Sequence, residues 1–126
     1  MQTVFTEQAP TAIGPYSQAK LVEPFLFTSG QIPVDPVTNL VVEGGIASQA
    51  DMVMKNLAAV LAAADLSLSD VVKTTCFLSD MADFAVFNAV YETHFGEHKP
   101  ARSCVAVKTL PKNVLVEVEA IAVRSK

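Results

Sequence analysis

Two apolar segments near the C-terminus carry charges at positions where a strand core would be apolar. The segment 101–107 contains Arg102, and the segment 115–123 contains Glu117 and Glu119. Charged side chains are almost never fully buried unless they are paired. These charges therefore predict either a structural ion pair or the polar groups of a binding pocket. In a pocket, the planar fork of an arginine suits a carboxylate, and a nearby carboxylate suits proton transfer to and from water.

The alternation of a β-strand places these groups on defined faces. Arg102, Cys104 and Ala106 share one face of the first strand, and Glu117 and Glu119 share one face of the second. Two carboxylates this close on an apolar strand resist being charged together. From the residues alone, a salt bridge between Arg102 and one of the glutamates is as good an interpretation as a ligand site, because buried charges are usually paired.

Two other constellations could carry chemistry of their own. Cys104 would act as a nucleophile only if a base such as His94 or His98 poised its thiolate. The same histidines fall in an H-x-x-E-H pattern that some zinc peptidases use. Gly96 lies inside this pattern and Pro100 follows it, so the helix that should hold both histidines is ending there. We expect neither a metal nor a cofactor, since no nucleotide or phosphate-loop motif is present.

Hydrophobic periodicity predicts the elements that must position these residues. The segment 47–64 has the i, i+3, i+4, i+7 apolar face of a helix, and Ser48 with Asp51 resembles a capping box. A second helix starts at Asp80 or Asp83 and ends at Gly96. Strands are predicted at 16–20, 25–29, 71–78, 101–107 and 115–123.

The resulting order, β-β-(β)-α-β-α-β-β, predicts one α+β domain over residues 1–126. Its mixed sheet of about six strands would carry both helices on one face. The other sheet face would then be bare. Hydrophobic residues make up 51% of the chain and charged residues only 17%, which is apolar for so small a protein. An oligomer that buries the bare face is therefore expected.

Charge and hydropathy argue against two classes of partner. The formal net charge is −4, and the nine basic residues are scattered, whereas a nucleic-acid binder usually shows a basic patch. No run approaches the roughly 20 apolar residues that span a bilayer. The first residues lack the basic start and apolar stretch of a signal peptide, so we expect a cytoplasmic protein.

Ordered motifs along nearly the whole chain resemble the RidA family, also called the YjgF family, of enamine/imine deaminases. They are IGPYSQA at 13–19, TSGQIP at 28–33, VKTT at 72–75, ARSCVAV at 101–107 and EVEAIA at 117–122. Several motifs in this order are far more specific than any one of them. The resemblance implies a chorismate-mutase-like fold and a homotrimer whose sheets face inward, with three clefts between subunits.

The resemblance also implies a reaction. Family members hydrolyse 2-imino acids or their enamine tautomers, such as 2-iminobutanoate and 2-iminopropanoate, to 2-keto acids and ammonia. Arg102 would grip the substrate carboxylate, and Glu117 would hold and activate water. The residues implied to bind substrate in the cleft are Tyr16, Ser29, Gly30, Asn88 and Cys104, the last through its main chain. Lys99 stands where many relatives carry an aromatic residue, which leaves the substrate preference open.

Two alternative functions remain at this point. A trimer of the same kind could bind 2-keto acids and regulate a partner without turnover. An endoribonuclease activity has also been attached to some family members, although the acidic balance of this chain speaks against it.

Overall fold

A six-stranded mixed sheet with two helices on one face makes up the computed structural model, which describes residues 1–125. The helices are α1 (Ile46–Ala63) and α2 (Phe84–Phe95). The strands are β1 (Gln2–Val4), β2 (Ala19–Val22), β3 (Phe25–Thr28), β4 (Val71–Leu78), β5 (Ala101–Ala106) and β6 (Val116–Val123). Their spatial order is β1-β2-β3-β6-β4-β5, and only the β4–β5 pair is parallel. The predicted α+β arrangement, with both helices on one face, is confirmed.

The helix α1 matches its predicted apolar face and begins within one residue of its predicted start, but its predicted cap is absent. Its apolar residues from Ala50 to Leu61 are buried against the sheet. The N-cap is Gly45, with no side-chain cap, so the capping box predicted at Ser48 and Asp51 is wrong. The Asp51 carboxylate instead pairs with Lys55 at 2.9 Å and with His94 of α2 at 2.8 Å.

The second helix begins and ends as its flanking residues predict. The Asp80 carboxylate accepts a hydrogen bond from the Ala82 amide and caps a short 3-10 turn, and α2 follows directly after Asp83. Gly96 ends the helix with a φ of 66°, a conformation that glycine adopts at little cost.

The strands at 25–29 and 71–78 match their predictions within a residue, whereas the strand predicted at 16–20 begins later in the structure. Gly14 has a φ of 120°, and its carbonyl accepts a hydrogen bond from the Tyr16 amide at 2.9 Å. This turn keeps Tyr16 outside the sheet, and β2 starts only at Ala19. The sequence pattern does not predict the short edge strand β1.

The two faces of the sheet differ sharply in burial. Alternate residues of β6, from Val116 to Ala122, are buried beneath the helices. On the opposite face, Phe25, Phe27 and Val105 remain 43%, 44% and 46% exposed. We call this surface, formed by these residues and by Phe77, Glu117, Glu119, Ile121 and Val123, the open sheet face.

Neither helix within residues 1–125 combines the length and the hydropathy needed to cross a membrane.

Candidate active site

The sheet register places Arg102 and Glu117 on opposite faces of the sheet. Arg102 on β5 lies opposite Thr74 of β4, and Glu117 on β6 lies opposite Phe77 of the same strand. Partners across a ladder point to the same face, and residues three apart along a strand point to opposite faces. Arg102 therefore lies on the helix-covered side with buried Thr74, whereas Glu117 lies on the open sheet face.

The separation of these two residues excludes an ion pair between them within one chain. Thr74 and Phe77 are about 10 Å apart along β4, and two strand spacings add about 9.6 Å across the sheet, so the two Cα atoms are roughly 14 Å apart. No salt bridge joins Arg102 to any residue among 1–125. The structural interpretation of these charges as a buried pair is therefore wrong for the single chain.

Arg102 opens into a cavity of about 370 Å³, which we call the arginine cavity. Its guanidinium donates from Nη1 to Asn88 Oδ1 at 2.6 Å. The guanidinium carbon lies 4.8 Å from the centre of the Tyr91 ring and 5.4 Å from that of Phe84. The residues lining the cavity are Asn88, Tyr91, Glu92, Phe95, Gly96, His98, Lys99, Pro100 and Arg102.

Glu117 opens into a different cavity of about 600 Å³, which we call the glutamate cavity. Four of the seven predicted site residues, Tyr16, Ser29, Gly30 and Glu117, meet here. The rest of its lining is Pro10, Thr11, Ile13, Gln18, Gln31, Ile32, Val34, Asn39, Pro111 and Lys112. The structure thus places four of the predicted site residues around one cavity and two, Arg102 and Asn88, around the other, whereas Cys104 lines neither.

Gly30 is the residue against which the Glu117 carboxylate packs. A Cβ atom built on Gly30 would lie only 1.9 Å from Glu117 Oε2 and 2.7 Å from its Cδ. The backbone of Gly30 is outside the positive-φ region. Glycine is therefore required here by the close approach of the carboxylate and not by the backbone conformation.

The environment of Glu117 favours the protonated acid more than water does. Burial raises the pKa of Glu117 above its ordinary value, and the nearby Glu119 carboxylate raises this pKa further. A carboxyl group whose pKa is shifted toward neutrality is a better general base or acid near neutral pH than an ordinary glutamate.

The loop residues of the glutamate cavity are held by main-chain contacts. Ser29 donates its amide to Gln18 O at 2.9 Å and its hydroxyl to Ser17 O at 2.6 Å, which fixes the end of β3. Tyr16 projects from the turn at Gly14 and is 54% exposed. Its ring lines the glutamate cavity and does not fill the core.

Cys104 offers its main chain rather than its thiol. Burial raises the pKa of Cys104, although Arg102 opposes this shift, so the thiolate is disfavoured. The Val107 amide donates to Leu78 O at 2.9 Å, so alternation directs the backbone groups of Cys104 away from β4, toward the free edge of β5. A ligand beside Arg102 could meet an N–H or C=O group there.

The two histidines are engaged elsewhere. His94 Nε2 lies 2.8 Å from Asp51 Oδ1, and His98 Nε2 lies 2.7 Å from Val71 O. Neither is hydrogen-bonded to Cys104, and residues 1–125 contain no cluster of three or more potential metal-ligating side chains.

Sequence reasoning missed the part that Phe84 and Tyr91 of α2 play around Arg102, although the family resemblance implies Asn88 in the cleft. The sequence pattern assigns Phe84 and Tyr91 to the apolar core face and places Asn88 off that face. In the structure all three contact Arg102. Their spacing of i, i+4 and i+7 puts them on one helical face, and this signal could have been found in the sequence.

Comparison with known proteins yields close matches over the whole chain. The family model described as Endoribonuclease L-PSP matches residues 6–124. A RutC family protein of Pyrococcus horikoshii is 54% identical over 121 residues, covering 96% of each chain. A protein of Salmonella typhimurium named 2-iminobutanoate/2-iminopropanoate deaminase is 52% identical over 126 residues, covering 98% of each chain. The solved structure of the YjgF gene product from Escherichia coli superimposes with a TM-score of 0.95 at 49% identity, covering 99% of this chain and 100% of that one.

Proposed function

The chain belongs to the YjgF/RidA family, several members of which are named as imine deaminases, and we propose that it hydrolyses short 2-imino acids such as 2-iminobutanoate and 2-iminopropanoate to 2-keto acids and ammonia. The observation that carries the proposal is Glu117: a partly buried carboxyl group of raised pKa, seated against Gly30 in a cavity of about 600 Å³. A protein that only bound 2-keto acids would have no use for such a group.

Arg102 supplies substrate binding in this proposal. Its guanidinium has five N–H donors, of which Asn88 takes one, so a planar edge is left for a substrate carboxylate. The free edge of β5 at Cys104 adds main-chain groups beside it. Together they orient the substrate so that its imine carbon faces the water that Glu117 holds.

Glu117 supplies the proton transfers. Its carboxylate removes a proton from water while the water oxygen bonds to C2 of the imine. The proton then passes to the nitrogen, which gives the carbinolamine. Glu117 next moves the hydroxyl proton of the carbinolamine to its amino group, and the ketone forms as ammonia leaves. The net change is imine plus water to ketone plus ammonia, with Glu117 regenerated. A raised pKa matches this double use as base and acid.

The two groups can act on one substrate only if two copies of the chain contribute to one cleft. Within one chain they lie on opposite faces of the sheet, about 14 Å apart at Cα, which is too far for a four-carbon substrate. We therefore propose the chorismate-mutase-like homotrimer, in which the open sheet faces pack inward and each cleft takes Arg102 from one subunit and Glu117 from its neighbour. The half-exposed Phe25, Phe27 and Val105 give this assembly an apolar surface to bury.

Turnover is tested by making the imine in place. A pyridoxal-phosphate dehydratase acting on threonine releases 2-iminobutanoate, and an amine trap such as semicarbazide reports how much survives. Catalytic amounts of this protein should lower the trapped fraction.

Arg102→Ala should weaken both 2-ketobutyrate binding and turnover by roughly 2–5 kcal/mol. Arg102→Lys should recover only part of this loss, because lysine lacks the planar fork. Binding of 2-ketobutyrate without turnover would favour the regulatory alternative, and RNA cleavage without either would favour the endoribonuclease.

The shared cleft is tested by complementation. Arg102→Ala and Glu117→Gln are each expected to be inactive as homotrimers, and light scattering should give about three chain masses for both. When the two variants are co-expressed in equal amounts, about a quarter of the clefts should pair an intact Arg102 with an intact Glu117, by random assembly. Recovery of about a quarter of the wild-type activity supports the shared cleft. No recovery, with mixed trimers verified by mass, would sink it.

A further inference from the structure

We propose that Tyr91 is a positioning residue that holds the Arg102 guanidinium in the orientation that receives the substrate carboxylate. The inference rests on the proposed function for its ligand, but its structural part can be tested without one. It assigns a role to a residue that the sequence pattern places in the core.

Three residues on one face of α2 surround the guanidinium. Asn88 Oδ1 accepts from Nη1 at 2.6 Å and fixes one edge of the fork. The rings of Tyr91 and Phe84 lie 4.8 and 5.4 Å from the guanidinium carbon, within the range of cation–π attraction. Since all of these partners are neutral, they restrain the position of the charge without neutralising it.

Tyr91 is itself fixed from the far side of its ring. Its hydroxyl lies 2.8 Å from Thr74 Oγ1, and Thr74 is fully buried on β4, directly across the ladder from Arg102. Phe87 and Phe95 pack on either side, with ring centres 5.6 and 4.6 Å away. Phe84, by contrast, has no hydroxyl to anchor it and lies farther from the guanidinium.

This arrangement links the packing of α2 on the sheet to the binding geometry. The Tyr91 hydroxyl is anchored on Thr74, the ladder partner of Arg102, and the Tyr91 ring then limits where Arg102 can lie. A long, flexible arginine would otherwise have to be ordered by the substrate, which weakens binding. Loss of Tyr91 should therefore weaken carboxylate binding through its effect on Arg102.

The composition of the chain allows a direct test by NMR. The sequence contains only two arginines, Arg102 and Arg124. Labelling arginine alone with nitrogen-15 therefore gives two sets of guanidinium signals, and an Arg124→Lys variant assigns them. Arg124 is hydrogen-bonded to Glu23 and to Ala64 O, makes none of the contacts that hold Arg102, and serves as the internal reference. In Tyr91→Leu, rotation of the Arg102 guanidinium and exchange of its N–H groups should become faster, with Arg124 unchanged.

Phe87→Leu is the matched control. Phe87 is on the same helix, is fully buried and contacts Tyr91, but it makes no contact with the Arg102 guanidinium. It should lower thermal stability about as much as Tyr91→Leu and leave the Arg102 signals as they are. Tyr91→Phe, which keeps the ring and loses only the Thr74 hydrogen bond, should recover most of the wild-type restraint. If Tyr91→Leu does not fold, a partial increase in the mobility of the Arg102 guanidinium in Tyr91→Phe still tests the positioning role of Tyr91.

The binding readout follows by calorimetry with 2-ketobutyrate. Tyr91→Leu should raise Kd about tenfold, in line with the loss of a partly desolvated cation–π contact, whereas Phe87→Leu should leave Kd unchanged. In an Arg102→Ala background, Tyr91→Leu should have no further effect, because Tyr91 acts through Arg102. An Arg102 signal that stays restrained in Tyr91→Leu, or an equal loss of binding in both backgrounds, would overturn the inference. If the wild type neither turns over the imine nor binds 2-ketobutyrate, the proposed function fails, and the NMR comparison alone decides the role of Tyr91.

Discussion

Replacing Gly30 by alanine should move the Glu117 carboxylate, which we propose to be catalytic, while leaving the stability of the fold nearly unchanged. The new Cβ would lie 1.9 Å from Glu117 Oε2, 2.7 Å from Cδ and 2.9 Å from Cγ, whereas ordinary van der Waals contact begins at 3.4 Å. The difference between 3.4 and 1.9 Å means that the carboxylate must move by about 1.5 Å. A misplacement of about 1 Å at a reacting group can cost about 100-fold in rate, so we expect kcat to fall by at least that factor.

Stability should change little in this variant. The backbone of Gly30 lies outside the positive-φ region, so alanine can adopt the same backbone conformation without strain. Alanine also reduces the entropy of the unfolded chain, which stabilises the fold by about 0.4–1 kcal/mol. Forcing Glu117 into another rotamer costs about 0.5–1.5 kcal/mol. These opposing effects nearly cancel, and the free energy of unfolding should stay within about 1 kcal/mol of the wild-type value.

The chain offers a matched glycine for comparison. Gly45, the N-cap of α1, has a φ of −93°, and no atom lies within 4 Å of the position that an added Cβ would take. Gly45→Ala should therefore leave imine turnover unchanged, at a small cost in helix capping. The double variant Gly30→Ala/Glu117→Gln should be no slower than Glu117→Gln alone, because both changes disable the same carboxylate. Wild-type kcat in Gly30→Ala would show that the seat of Glu117 on Gly30 is not the catalytic arrangement.

Three further substitutions test the proposed roles of Glu117, Glu119 and Cys104. Glu117→Gln should cut kcat by about 100-fold or more with 2-ketobutyrate binding retained. Because the folded-state pKa of Glu117 is raised, ionisation of Glu117 destabilises the folded protein as pH rises through that pKa. Glu117→Gln should therefore have a higher Tm than the wild type at neutral pH, as measured by calorimetry. The difference in Tm should disappear below about pH 4. Glu119→Gln removes the smaller cause of this shift, so the acidic limb of the kcat/KM profile should move to lower pH, and an unmoved limb would contradict the coupling. Cys104→Ala should keep most of the activity, since the main chain is unchanged. A loss of activity by orders of magnitude with the fold intact would support the hypothesis that the Cys104 thiol acts as a nucleophile.

Local patterns are sufficient to predict the elements that pack on the core. The apolar face of α1 repeats every three to four residues, and burial of its members from Val53 to Leu61 follows directly. The end of α2 at Gly96 is likewise a local property of glycine. The start of α1 at Ile46 lies within one residue of its prediction, but the capping box predicted at Ser48 and Asp51 is wrong, because Asp51 has a partner other than the helix end: His94, 43 residues away in sequence. Such a tertiary contact leaves no local signal.

The division of the site could not be predicted, because it depends on register. Alternation shows which residues share a face within one strand, so Arg102 could be grouped with Cys104 and Glu117 with Glu119. Whether the two groups face the same way depends on how β5 and β6 align on β4. The ladder partners of Arg102 and Glu117 on β4 are three residues apart, an odd number, so the two side chains point to opposite faces. An offset of two or four residues would have put both groups on one face.

Their placement on opposite faces also bears on how the charges remain available to a ligand. Had Arg102 and Glu117 met in one chain, each would have satisfied the other, and a substrate carboxylate would have had to break a partly buried ion pair before it could bind. Instead the neighbours that contact the Arg102 guanidinium, Asn88, Tyr91 and Phe84, are all neutral. Glu117 likewise forms no ion pair with a cation among residues 1–125, and its pKa is raised by burial and by Glu119. In the proposed cleft the two charges meet across a subunit boundary, with the substrate between them: its carboxylate neutralises Arg102, and its imine nitrogen takes the proton that Glu117 carries.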